Sequence, residues 1–230
     1  MMTYEPRTIA LLSELLHSPV SPESGPIQRI HNQMFESGRP AYASFQVTPH
    51  GPVLSNPANQ AGAVSSVAFL ANRIQFREEN SGIAVDDFAE RVRLLAAAGA
   101  EARRQQLFPA QVVTVRALIS PRSFGDAREY LRNGIFGFGS ELSDFGRDPQ
   151  LFGFRFAFGA TKEQPEAFGL RVESWAQDAR SLFVEVQGNF GPSLAATGLD
   201  ATGDNVLTTY RFLTEKACAF LARFDVPQQA

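Results

Sequence analysis

The chain has 230 residues, 44% of them hydrophobic, with 21 basic against 24 acidic side chains for a formal charge of -3. That length fits one large domain or two halves of roughly 100 residues, and the near balance of charge offers no long-range field to draw in nucleic acid or an anionic headgroup surface. A single cysteine, Cys218, excludes an internal disulfide or a cysteine-rich zinc site and points to a reducing compartment, the cytoplasm.

The N-terminus, MMTYEPRTIALLSELL, lacks a basic region followed by an apolar core and a small-residue cleavage site. No apolar run approaches the roughly 20 residues of a membrane helix, so neither export nor a membrane partner is expected. Ile9, Leu12 and Leu16 fall at helical spacing, which predicts a short amphipathic helix over residues 6–17. The prolines and serines of SPVSPESGP then mark a linker, so residues 1–24 are expected to form a helical arm. Pro26 suits a first helical turn, and Ile27, Ile30 and Met34 predict a helix that ends near Gly38.

YASFQVTP is expected as a strand turning at Pro49-His50-Gly51-Pro52, and SSVAFL with RIQFREE as the arms of a hairpin across Ala71-Asn72. From about Val85 to Arg104 the residues Val85, Phe88, Val92, Leu95 and Ala96 share a helical face. Asp86, Asp87 and Glu90 stand at its start and Arg103 and Arg104 at its end, in agreement with the helix dipole. QVVTVRALIS reads as a strand. Ser123-Phe124-Gly125-Asp126 has capping-box spacing for a short helix with Asn133-Gly134 as its stop.

LFGFRFAFG, FGLRVESWA and SLFVEVQG are three further strands, the last two joined as a hairpin across Gln177–Arg180. A final helix from about Asp204 to Phe224 aligns Val206, Tyr210, Leu213, Ala217, Phe220 and Phe224. The expected fold class is α+β, antiparallel sheet with long helices packed on one face. Two halves share the order strand, hairpin, long helix, near 42–104 and again near 151–224. The organisation is then a first half over 25–120, a short helix with a Phe/Gly-rich connection over 121–150, and a second half over 151–230, together one compact domain.

VAFLANRIQFREENS followed by DDFAERV, the strand VVTVRALIS, LRVESWAQDARSLFVEVQG and the closing helix LTTYRFLTEKACAFL together resemble a sporadically distributed family of bacterial proteins of about this size. The resemblance covers most of residues 26–224 as a pattern of elements. It implies a shared arrangement and a bacterial source, and it transfers no active-site residue.

Chemistry is sparse in the pattern. Gly137-Phe138-Gly139 invites a phosphate-binding reading, but it follows a helix and opens a strand, the reverse of a nucleotide loop. Asp144-Phe145-Gly146 has no kinase catalytic loop before it. His17, His31 and His50 lack metal-ligand spacing, and no G-x-S-x-G elbow occurs. Cys218 is expected as a small buried hydrophobe. No catalytic, cofactor-binding or metal-binding residue and no cofactor are therefore assigned.

Phe152, Phe154, Phe156 and Phe158 recur at period two, which predicts core packing under the helices. On the opposite sheet face Arg155, Arg171, Glu173 and Glu185 are expected together with Trp175 and Phe183, as a salt-bridged face or an interface. Phe136, Phe138 and Phe145 are expected as an aromatic loop that folds back on the core or meets a partner. The functional expectation is a non-enzymatic binding or assembly protein, acting through a protein partner or as a homo-oligomer, with nucleic acid disfavoured. The alternative is a small-molecule-binding module or enzyme with its pocket between the helices and a curved sheet.

Overall fold

The structure, a computed structural model, describes residues 4–226 apart from Arg39 and Gly139. In chain order its elements are β1 (Arg7–Leu16), α1 (Ser24–Glu36), β2 (Ser44–Thr48), β3 (Gly51–Ser55), β4 (Val64–Phe69), β5 (Arg73–Glu79) and α2 (Val85–Ala102). Next come β6 (Leu107–Phe108), β7 (Ala110–Ile119) and α3 (Ala127–Glu129), which continues as a π-helical turn over Tyr130–Phe136 and is followed by a 3-10 turn over Ser140–Phe145. The remainder is β8 (Gly153–Phe158), β9 (Ala167–Ser174), β10 (Leu182–Phe190), β11 (Ser193–Leu194), α4 (Asp200–Arg211), a π turn over Phe212–Ala217 and α5 (Cys218–Ala222).

Nine strands form one antiparallel sheet in the order β2-β3-β4-β5-β1-β7-β10-β9-β8, and β6 with β11 forms a small separate ribbon. The fold is thus α+β, as the pattern of elements predicts. Val113, Val115 and Ala117 of β7, Val184 and Val186 of β10, and Ile74 and Phe76 of β5 are buried and alternate with polar or half-buried neighbours. This period of two marks a sheet covered on one side only. Phe88, Val92, Leu95 and Ala96 of α2 and Val206, with Leu213 and Leu221 beyond it, complete a single hydrophobic cluster on that side.

The N-terminal expectation is corrected. Residues 6–17 do not form a helical arm: Arg7–Leu16 is a strand at the middle of the sheet, paired with β5 on one side and β7 on the other. Leu11, Ser13 and Leu15 face the helices and are buried. Ser13 is satisfied there because its hydroxyl accepts a hydrogen bond from Gln111 Nε2 at 3.0 Å, as a buried polar group requires.

With β1 in place, the order of the two halves is fuller than strand, hairpin and helix. From the central β1/β7 pair, each half runs outward from a central strand to a helical segment and returns through an antiparallel meander. It closes with a long helix on the shared face. Where α2 crosses α4, Gly203 makes the close approach possible, since a Cβ there would lie 2.9 Å from Ala89 O.

Two local signals act differently from expectation. The capping residue before α3 is Asp126, whose carboxylate accepts from the backbone N–H groups of Arg128 and Glu129, rather than Ser123. Ser123 instead donates its hydroxyl to Asp225 O at 3.2 Å. The helix also runs through Asn133-Gly134, and ends where Gly137 takes φ +64°. At the end of α2, Arg103 turns away from its own helix and donates to the carbonyls of Leu70 and Phe69 at 2.6 and 2.5 Å, bracing the β4/β5 hairpin. Burial lowers its pKa to about 10.

Candidate functional site

Strand β8 ends the sheet at the second half. It pairs with β9 in register, Phe154 opposite Val172, Phe156 opposite Leu170 and Phe158 opposite Phe168. Those phenylalanines point to the helix side, as their spacing predicts. The prediction that they lie in the core is corrected for two of them: Phe156 is 41% and Phe158 44% exposed, while Phe154 is half-buried. The reason lies in the helix layer. Helix α4 packs over β7 and β10, and the π turn and α5 meet β8 and β9 through the rings of Phe212 and Phe220, so the outer rings of the last strand stay partly uncovered.

The overhang encloses a cleft of about 720 Å³ between β8, β9 and the π turn. Its walls are rings in contact. Phe156 meets Phe220 at 5.9 Å, Phe158 meets Phe212 at 5.5 Å, and Phe168 stacks on Phe212 at 4.3 Å between centroids. Glu166, Arg211, Glu215 and Lys216 stand among the lining residues, giving an apolar floor with charges of both signs. Phe212, Glu215 and Lys216 all belong to the π turn, a distortion frequent at functional sites.

On the other face of the same strands the predicted polar group comes together. Arg171 donates from both Nε and Nη2 to Glu173 at 2.7 Å, and Arg116 donates to Glu185 at 2.7 Å across the β7/β10 pair. Phe183 carries Trp175 stacked on one side at 5.4 Å and the Arg171 guanidinium at 5.7 Å. Of the six predicted residues Arg171, Glu173, Trp175 and Phe183 are therefore in one contact network, and Glu185 stands opposite Arg171 across the β9/β10 pair. Arg155 lies on the same face but stands directly opposite Arg171, and it makes no ion pair among the described residues. Two like charges in a cross-strand pair are unfavourable.

The connection before β8 divides. Phe145 is 72% and Phe138 37% exposed, whereas Phe136 is half-buried in the π-helical turn, stacked on Phe138 at 5.1 Å and edge-on to Phe154 at 6.2 Å. Of the Gly137-Phe138-Gly139 trio, Gly139 lies outside the described residues. Cys218 is buried as expected, and burial pushes its thiol up to about 11, away from nucleophilic use.

His17 is buried at the end of β1, not on an arm. Its Nδ1 is 2.8 Å from Ser18 O, and burial lowers its pKa despite that contact. Among the described residues no cluster of three or more His, Cys, Asp or Glu side chains has the geometry to hold a metal, and no helix is long and apolar enough to cross a membrane.

Sequence reasoning passed over the helical half of the cleft. Phe220 belongs to the predicted helix stripe but Phe212, one residue before Leu213, does not, and the role of both as a wall depends on β8 lying beside them. No known protein family and no curated protein matches this chain.

Proposed function

We propose that the protein is a non-catalytic binding protein that captures an extended segment of a partner protein along β8. The observation that carries this reading is the coincidence, on one strand, of a sheet edge and the exposed Phe156 and Phe158 beside the cleft. An unpaired edge offers a row of backbone donors and acceptors, and an incoming strand satisfies them while its alternate side chains enter pockets on one face. On the helix side those side chains are apolar, to match the phenylalanine floor. On the other side they face Arg155 and Arg171, so acidic residues at alternate positions complement the edge.

A second copy of this chain fits less well. Pairing two β8 strands about a two-fold axis lines up the Arg155–Arg171 pairs of both copies along one strip without an added acid, because GFRFAF contains none.

The test is a fluorescence-anisotropy titration with short peptides that alternate apolar residues with either glutamate or lysine. Acidic peptides bind and weaken as salt rises, because the charge term is screened. Phe156→Ala or Phe158→Ala weakens binding by about tenfold, the loss expected of an aromatic anchor. Arg155→Glu costs roughly three- to tenfold for acidic peptides and improves the basic ones by a similar factor. Equal binding of the two peptide classes, or the same affinity in the phenylalanine variants, refutes strand capture.

A small apolar ligand is the second reading, favoured by a cleft volume within the roughly 300–1,000 Å³ of ligand pockets. Binding of a hydrophobic dye that persists while every peptide fails supports that reading instead.

A further inference from the structure

The two halves of the chain repeat one arrangement about the central β1/β7 pair. Outward from β1 come β5, β4, β3 and β2, and outward from β7 come β10, β9 and β8. The connections agree in length. Residues 17–23 lead from β1 to α1 and 120–126 from β7 to α3, while 56–63 join β3 to β4 and 159–166 join β8 to β9. Gly51 opens β3 and Gly153 opens β8. A Cβ at the first would press on Phe69 O of β4, and one at the second on Val172 O of β9. Strand β8 is therefore the counterpart of β3, and among the described residues no strand takes, in the second half, the place of β2.

Residues 146–150 stand where β2 stands in the chain order, and they form no strand. Their sequence, GRDPQ, contains Pro149, which has no N–H for a ladder, beside glycine and aspartate, which strands disfavour. Gly146 takes φ +63°, and Asp148 pairs with Arg132 at 3.7 Å. In the first half β2 covers its neighbour: Phe45 lies opposite Leu54 and Val47 opposite Pro52 on the helix side, with Gln46 between them opposite Val53. Strand β8 has no such cover, and Phe156 and Phe158 are exposed.

We infer, resting on the strand-capture reading, that the captured segment takes the place of β2. It runs antiparallel to β8 over five residues, with apolar side chains opposite Phe154 and Phe156 and an acidic one between them opposite Arg155. Length and pattern follow from β2, which is five residues long and alternates in the same way. Direction follows from the sheet, in which every pairing is antiparallel, since antiparallel pairs are slightly more stable per residue. The acid takes the place of Gln46 because the residue across from it is Arg155 rather than Val53. Such a segment lays its apolar side chains beside the cleft and gives both meanders the same number of strands.

The experiment uses the full chain and the peptide Ser-Phe-Glu-Val-Thr, extended by a single cysteine at either its N- or its C-terminus. Ala160→Cys, past the Phe158 end of β8, and Leu151→Cys, before its Gly153 end, supply the partner thiol in separate variants. Both positions are exposed, whereas Cys218 is buried. Disulfide-linked product in a glutathione buffer is read by mass spectrometry. The N-terminal cysteine is expected to link to Ala160→Cys and the C-terminal one to Leu151→Cys, each about tenfold over the crossed combination, because pairing raises the effective concentration of the near thiol. Lysine in place of the glutamate lowers both links roughly three- to tenfold. The reverse preference, no preference or no link, while anisotropy still reports binding of acidic peptides, overturns this placement and leaves strand capture standing. Equal yields with lysine and glutamate overturn the pairing of an acid with Arg155. Absence of any link together with absence of binding by anisotropy overturns both readings.

Discussion

At the scale of single residues, Asp225 ties the two ends of the described chain together. Its carboxylate accepts from Tyr4 Oη at 2.7 Å and from the backbone N–H groups of Arg122 and Ser123 at 2.8 Å each. Burial alone raises its pKa, but the bonds from Arg122, Tyr4 and Ser123 outweigh burial and hold it below the ordinary value of 3.8. Asp225→Ala is expected to cost about 3 kcal/mol, because it orphans three buried or partly buried donors on two segments; chemical denaturation measures it.

The pH dependence has two steps with the same sign. His17 and Asp225 both have folded pKa values below their unfolded ones, so in each case the unfolded chain takes up the proton first. Stability is full above the unfolded value of 6.5 for His17 and falls as pH drops below it, then falls again below 3.8 as Asp225 protonates. His17→Gln is expected to flatten the upper step and leave the lower one, as read from urea midpoints across that range. Gly203→Ala, which drives a methyl group against Ala89 O at the α2/α4 crossing, is expected to lose about 1–3 kcal/mol by overpacking.

At the scale of elements, β1 and β8 define the extremes of the sheet's logic. β1 has neighbours on both sides, and removing residues 1–24 leaves the facing edges of β5 and β7 without their partner. That truncation is expected to abolish cooperative unfolding altogether, which circular dichroism with thermal scanning detects. A detachable arm would instead leave the transition intact. β8 has one neighbour and six residues, so substitutions at Phe156 or Phe158 are expected to change stability by less than about 1 kcal/mol while affecting binding. Exposed side chains contribute little to the folded core. The π turn works at the same scale: it places Phe212 against Phe168 and brings Lys216 into the cleft.

At the scale of the molecule, every helix of appreciable length lies on one side of nine strands, leaving a broad sheet face in water. That face is not apolar. Glu14 with Arg73, Arg77 with Glu79, Arg116 with Glu185 and Arg171 with Glu173 cover it with ion pairs. Such pairs stabilise little but keep a flat sheet from sticking to another. Of the exposed phenylalanines, Phe156 and Phe158 stand on the edge strand β8 and Phe138 and Phe145 in the connection before it, while Phe35 lies apart on α1. The broad face is therefore charged, and the exposed rings of β8 lie at its margin.

Much of this architecture is legible in the amino-acid order. The stripe Phe88, Val92, Leu95 and Ala96, the hairpin around Ala71-Asn72 and the alternation of β7, β9 and β10 each carry their period locally, because one face of each meets a common core. β1 escapes that reading. In RTIALLSELL the apolar residues fit a helix as well as a strand, and Ser13, at a core position, hides the alternation that Leu11 and Leu15 begin. Only its pairing with β5 and β7, and the Gln111 side chain that satisfies Ser13, decide the strand. Pairs such as Arg171 with Glu173 are foreseeable from period two alone. The cleft is not: it arises where segments distant in the chain fail to cover one another. The apolar faces of α2, β7, β9 and β10 follow from the order of their residues, because each carries its period locally; that β1 is a strand, and which apolar face stays uncovered, follows only from packing between distant segments.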